Sequence, residues 1–295
     1  MSHPETNAIV VRAPATSANM GPGFDCLGMA LDLWNDVEAI ASGPRRDGDG
    51  NLILRAARAV FDEVGAPFPG FALRCTNRIP FARGLGSSAA AIACGILIGN
   101  HCLGGPLDES ALLQLACRLE GHPDNAVPCL LGGVRVAVVA DGGRVLHVRV
   151  PLGLSLLAVG FLPDQPSPTA HARGLLPSTV SLTDALFNVA RSSLLVAALA
   201  AGQADVLGEA TRDRLHQPYR LPLFPAGARL LEAALQAGAM GAFTSGAGPT
   251  VLALCADTQQ AETVAAAFDA CARQLGLAGV TRRVSLSDRG AHVVA

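Results

Sequence analysis

Apolar residues change their spacing several times along this chain, and each change predicts an element. Alternation rich in β-branched residues predicts strands over 8–12, 31–40 and 70–77, and a hairpin whose arms, 134–140 and 145–150, meet at Asp141, Gly142 and Gly143. Helical spacing takes over between them. Helices are predicted over 52–64, from Ser87 up to the glycine pair Gly104 and Gly105, and from an Asp108 cap to Leu119, with Leu112, Leu115, Ala116 and Leu119 at helical spacing and Gly121 as the stop. Past residue 160 the pattern changes. The proline-rich LPDQPSPT of 162–169 reads as a boundary, followed by helices over 183–201, 204–215, 226–237 and 258–275, strands on either side of SGAGP and a last strand over 280–286. The polar stretch 41–51 reads as a loop.

At roughly 150 residues per domain, 295 residues suggest two domains, split here into 1–159 and 160–295. A net charge of -2 without any basic cluster argues against nucleic acid or an anionic membrane as partner and for a small molecule. The longest apolar runs fall well short of the ~20 residues that span a bilayer, and the amino-terminal stretch carries no basic region followed by an apolar core, so the expectation is a cytoplasmic protein. None of the eight cysteines falls in a CxxC pair, which favours reduced thiols over a zinc site. All 22 basic residues are arginine. The missing lysine excludes a Walker loop, a protein-kinase strand lysine and a pyridoxal Schiff base, so a nucleotide site here depends on backbone amides, a helix terminus, a metal ion and arginine.

Four constellations carry chemistry. GLGSSAA at 84–90 joins two glycines and two hydroxyls to a helix start, where uncapped amides face whatever lies in the turn; it reads as a phosphate cradle, or as an ordinary serine-capped turn. PATSANMGPGFD at 14–25 crowds glycines, hydroxyls, an amide and a carboxylate into twelve residues, the composition of a binding loop or of a solvated turn. EGHPDN at 120–125 brings two carboxylates, an imidazole and an amide together at a helix end, with oxygen ligands better suited to magnesium than to zinc. SGAGPT at 245–250 lets backbone approach a ligand or another loop closely.

In this order, these segments resemble the GHMP kinase superfamily and, through PATSAN with GPGFD and EGHPDN, its homoserine kinase branch. The resemblance implies an α+β two-domain fold: an amino-terminal mixed α/β domain with the phosphate-binding glycine loop, and a carboxy-terminal ferredoxin-like α/β sandwich, the site lying in the cleft between them. It implies ATP and Mg²⁺ as cofactors and L-homoserine as the partner, with a homodimer left open. Pro80, Arg83, Gly84, Leu85, Gly86, Ser87, Ser88 and Ala89 would then form the nucleotide loop, and Ser87 or Ser88 with Glu120 would hold the metal. Asn19, Asp25, His122 and Asn125 would line the homoserine pocket, Asn125 orienting the attacking hydroxyl and Asp25 positioning the amino group, with Asp25 as a base the lesser option. Arg173 and Arg220 would hold the carboxylate, a task suited to the forked guanidinium. A related GHMP kinase acting on another alcohol and a catalytically silent sensor are the competing readings; the sensor is expected to lack the metal residues, and Ser87, Ser88 and Glu120 are all present.

Overall fold

Strands β1 (Ile9–Ala18) and β2 (Leu27–Ala41) are both longer than alternation predicts. The extra residues of β1, from Ala13 to Ala18, are all buried, and a strand covered on both faces shows no alternation to read. The computed structural model describes residues 8–42, 50–167 and 169–294. The leaderless start expected over 1–7, most of the polar loop over 41–51, and Pro168 in the boundary segment lie outside the described residues.

Helix α1 (Leu52–Glu63) begins where the Asn51 side chain accepts the amides of Ile53 and Leu54. After β3 (Phe71–Thr76) come α2 (Ser87–Cys102) and α3 (Glu109–Glu120), the latter capped by Asp108 and stopped at left-handed Gly121, as predicted. EGHPDN is a junction rather than an end. A further helix, α4 (Pro123–Leu131), starts there, with Pro123 in its first turn, where a missing amide leaves no helical bond unmade. The predicted hairpin is β4 (Val134–Val139) and β5 (Val145–Arg149), joined by a short 3₁₀ turn.

The second half opens with β6 (Leu157–Pro163), which the sequence did not signal because six of its seven residues are buried. The expected boundary at 159/160 cuts this strand; the sheets part instead between Arg149 and Leu157. Next come α5 (Thr169–Gly174), α6 (Leu182–Ala201), α7 (Leu207–Ala210), α8 (Gln217–Arg220), α9 (Ala226–Gln236), β7 (Gly241–Thr244), β8 (Val251–Cys255), α10 (Thr258–Leu275), β9 (Gly279–Ser285) and β10 (His292–Val293). The helix predicted over 204–215 breaks up. The Asp213 carboxylate accepts the amides of Leu215, His216 and Gln217, drawing donors away from a helical ladder.

The first sheet runs β10-β1-β2-β4-β5, with β3 also on β2, and the second runs β7-β8-β6-β9. One apolar cluster crosses between them, joining Val11, Met29 and Ile98 to Leu199, Phe243 and Leu252. Helices α9 and α10 close the second sheet over Phe161, Leu230 and Phe268. Helix α6 is, among the described residues, the one element long and apolar enough to cross a bilayer by length and composition, which the sequence reading did not anticipate. Its Leu195, Ala198 and Leu199 enter the core, while Leu182, Leu186 and Val189 are exposed.

Helices α1 and α2 touch backbone to backbone, since a Cβ on Gly95 would lie 2.3 Å from the Ile53 carbonyl oxygen and 2.7 Å from Ala56 Cβ. Overpacking of this kind costs about 1–3 kcal/mol, so Gly95→Ala is expected to lower the melting temperature by roughly 2–10 °C. Gly50→Ala, where a Cβ meets open space, serves as the control. Equal melting of the two variants by circular dichroism would show that the α1 to α2 contact is not tight.

Candidate active site

Segments distant in sequence line one cleft. Asn19 and Asp25 come from the loop between β1 and β2, Gly84, Gly86, Ser87 and Ser88 from the turn into α2, Glu120, His122, Asp124 and Asn125 from the α3 to α4 junction, Arg173 from α5, Arg220 from α8, and Gly246 and Ala247 from the turn between β7 and β8. Strain collects here. Asn19, Met20, Asp25 and Ala82 have φ of 69°, 47°, 57° and 52°, and among the described residues no other non-glycine residue is left-handed. The SGAGP turn touches both the glycine turn and the end of β1: Ser245 Oγ donates to the Gly84 carbonyl at 2.6 Å, and the Gly246 amide donates to the Ala18 carbonyl at 3.1 Å.

One end of the cleft is built for an anion. Gly86, at φ 66°, caps α2 without a side chain, which leaves the first helical amides unpaired beside Ser87 and Ser88. A side chain there is excluded, because a Cβ on Gly86 would lie 1.8 Å from Thr16 Oγ1. Ser88 Oγ donates to Glu120 Oε2 at 2.8 Å. Burial raises the Glu120 carboxyl above its ordinary range, against the lowering by Ser88 and His122. Among the described residues no three His, Cys, Asp or Glu side chains gather to hold a metal by themselves. A carboxylate and a hydroxyl beside free amides do fit Mg²⁺ shared with phosphate oxygens, because this ion takes hard oxygen ligands and few of them from protein.

The other end is built for opposite charges side by side. Arg173 grips Asp25 with both arms, Nη1 to Oδ2 at 2.9 Å and Nη2 to Oδ1 at 2.7 Å, and the bond raises its pKa further. Arg220 is less well served. It is 5% exposed, its Nη1 donates to the Gly246 carbonyl at 3.0 Å and to His216 Nδ1 at 3.1 Å, and its buried Nε has no partner among the described residues. Burial lowers its pKa, and Arg173 lowers it again. A buried cation with an unanswered donor is costly until an anion arrives.

Between the two ends, Thr16 donates to Asn125 Oδ1 at 2.6 Å, which leaves the Asn125 amide nitrogen to face the cleft. His122 Nδ1 lies 2.6 Å from Asp124 Oδ1. Burial alone would lower the His122 pKa, but the bond and charge of Asp124, with Glu120 and Asp25 behind them, leave it raised. Asn19 joins the loops. Its Oδ1 accepts the Asp25 amide and its Nδ2 donates to the Gly246 carbonyl, both at 3.0 Å.

Part of the expected nucleotide loop serves the fold. Arg83 lines the cleft, but its guanidinium is committed to the backbone carbonyls of Phe81, Pro163 and Asp164, tying the loop to the end of β6. Leu85 and Ala89 turn into the core, and Pro80 lies outside the cleft lining. Asp124, Gly246 and Ala247 line the cleft without having been singled out, although EGHPDN and SGAGP contain them. His216 carried no signal.

A glycine-turned phosphate cradle facing a small polar pocket defines a small-molecule kinase of the GHMP class, and two family models, "GHMP kinases N terminal domain" and "GHMP kinases C terminal", match residues 51–133 and 195–274. The chain belongs to the homoserine kinase family within that class. It is 44% identical to the homoserine kinase of Moorella thermoacetica, over 97% of this chain and 99% of that one, and 44% identical to that of Streptomyces avermitilis, over 97% and 96%. The crystal structure of homoserine kinase from Cytophaga hutchinsonii superposes with a TM-score of 0.88 at 27% identity, covering 100% of this chain and 99% of that chain.

A carboxyl whose pKa is raised by folding binds more protons in the folded state, so its burden on stability is absent at low pH and appears as the pH climbs past the ordinary carboxylate range. Glu120→Gln is therefore expected to melt at or above the wild-type temperature at about pH 7, with the advantage gone near about pH 4. A variant less stable than wild type at neutral pH would show that the carboxylate stabilises the fold.

Proposed function

We propose that the protein transfers the γ-phosphoryl group of ATP to the hydroxyl of L-homoserine, giving O-phospho-L-homoserine and ADP in the route to threonine. The observation that carries this reading is Arg220, a buried and incompletely paired cation beside the Arg173 to Asp25 pair, in the same cleft as the open amides of α2. An amino acid presents a carboxylate and an ammonium on one carbon, and these three side chains offer the matching charges. A neutral alcohol gives two arginines nothing to hold.

In this reading the homoserine carboxylate is taken by Arg220 and Arg173, the ammonium by Asp25, and the hydroxyl by the amide nitrogen of Asn125 with His122 alongside. The α2 amides, with Ser87, cradle the phosphates. Glu120 and Ser88 would hold Mg²⁺, which when bound would neutralise charge on the phosphate oxygens. Phosphoryl transfer through a loose transition state needs in-line placement and charge neutralisation more than proton abstraction. With both oxygens in the grip of Arg173, Asp25 is placed to fix charge rather than to accept a proton. One helix terminus supplies up to ~2 kcal/mol of the ~8 kcal/mol or more that an enzyme must find. The metal site and the amino-acid clamp must provide the rest.

An ADP-release assay over homoserine, serine, threonine and mevalonate tests the reaction, with homoserine expected to be the efficient substrate. Phosphate found on another of these alcohols, with homoserine inert, would overturn it. Losing a charge-assisted hydrogen bond costs ~1.5–3 kcal/mol, so Arg173→Ala and Arg220→Ala should each raise the KM for homoserine roughly ten- to two-hundredfold and leave the KM for ATP nearly unchanged. Lysine at either place should recover part of the loss, since it keeps the charge without the fork. Arg229, on the exposed side of α9, is the control.

A further inference from the structure

We infer that His216, which lines no part of the cleft, fixes which edge of the Arg220 guanidinium faces an incoming carboxylate. His216 is fully buried just before α8, with Nε2 2.7 Å from the Gly21 carbonyl oxygen and Nδ1 3.1 Å from Arg220 Nη1. A carbonyl oxygen only accepts and a guanidinium only donates, so one arrangement of protons satisfies both contacts: hydrogen on Nε2 and a lone pair on Nδ1. The ring is thus a neutral relay between two fixed partners. Asp213 Oδ2, 3.6 Å from Nε2, stands too far off to compete, and it already accepts two backbone amides.

Both ends of the relay are rigid. Gly21 lies against Thr211, where a Cβ would come within 2.1 Å of the Thr211 carbonyl oxygen, and the imidazole stacks on Phe24 with centroids 5.2 Å apart. Arg220 stands over the same Phe24 ring at 5.3 Å. Held between His216 Nδ1 and the Gly246 carbonyl, Nη1 is fully occupied, and the edge left for a ligand is Nε with Nη2. Two parallel donors on one edge are what a carboxylate takes up bidentately. Without the Nδ1 acceptor the guanidinium can turn about its long side chain and offer a single donor, keeping its charge and losing its aim.

This inference rests on the assignment of Arg220 to the carboxylate, and three variants separate the two. The amide oxygen of His216→Asn can stand where Nδ1 stood and still accept from Arg220, whereas His216→Gln can keep a donor near Gly21 but leaves nothing at Nδ1. His216→Gln should raise the KM for homoserine about tenfold with the KM for ATP within about twofold, and His216→Asn should stay within about threefold of wild type. In an Arg220→Ala background the two substitutions should become equivalent. If Arg220→Ala raises the KM but His216→Gln does not, or if the two His216 variants remain different without Arg220, the positioning role is wrong and the clamp stands. If Arg220→Ala leaves the KM for homoserine unchanged, both fall. Neutron diffraction from wild-type crystals checks the relay without any variant: a deuteron is expected on Nε2 and none on Nδ1, and a deuteron on Nδ1 would overturn it.

Discussion

The cleft depends on the end of β1, where backbone and short side chains meet the glycine turn, the start of α4 and the SGAGP turn with no space between. The Thr16 amide donates to the Leu85 carbonyl, Thr16 Oγ1 to Asn125, Ser17 Oγ lies 2.8 Å from Ser245 Oγ, the Ala18 carbonyl accepts the Gly246 amide, and Asn19 reaches the Gly246 carbonyl. These contacts are buried, so each unpaired group would carry the full penalty of desolvation, and the set holds together or fails together. The glycines at 84 and 86 follow from this: the space their side chains would need is occupied by Ser245 and Thr16.

Charge is distributed along the cleft on the same principle of close, unequal pairing. Asp25 and Arg173 satisfy one another, whereas Glu120 and Arg220 are held in environments that disfavour their charged forms. Sites prepared in this way give up some stability of the empty protein for strength of binding, because each strained charge is relieved only by a ligand of the opposite sign. That an acidic and a basic group are both held so, at opposite ends of one cleft, matches a reaction that brings a phosphate chain to an amino acid.

How much could be read in advance follows burial. Helix α10 begins and ends as predicted because it is amphipathic and lies between an Asp257 cap and Gly276. Strand β6 and the inner part of β1 were illegible for the opposite reason: strands buried on both faces lose the alternation that marks them. The loops that line the cleft were legible through their density of glycine and short polar residues, which few other segments require. His216 could not be found that way. One of its partners, Gly21, is brought to it by the fold, the other, Arg220, stands four residues on, and nothing in HQPYR distinguishes a buried relay from a surface histidine.

Strand β10 pairs Val293 with Val11 and His292 with Arg12, and the stretch leading to it bonds Ser287 to Ala30 and Gly133. The first sheet is thus finished by residues that come after the second sheet in the chain. On a ribosome, β1 and its dependent loops must wait, one edge unsatisfied, until nearly all of the sequence has emerged. Loop closure over such a span is entropically slow. The two sheets do not mark two independently folding pieces, and a cut in the link between β5 and β6 would yield an amino-terminal fragment lacking the strand that closes it.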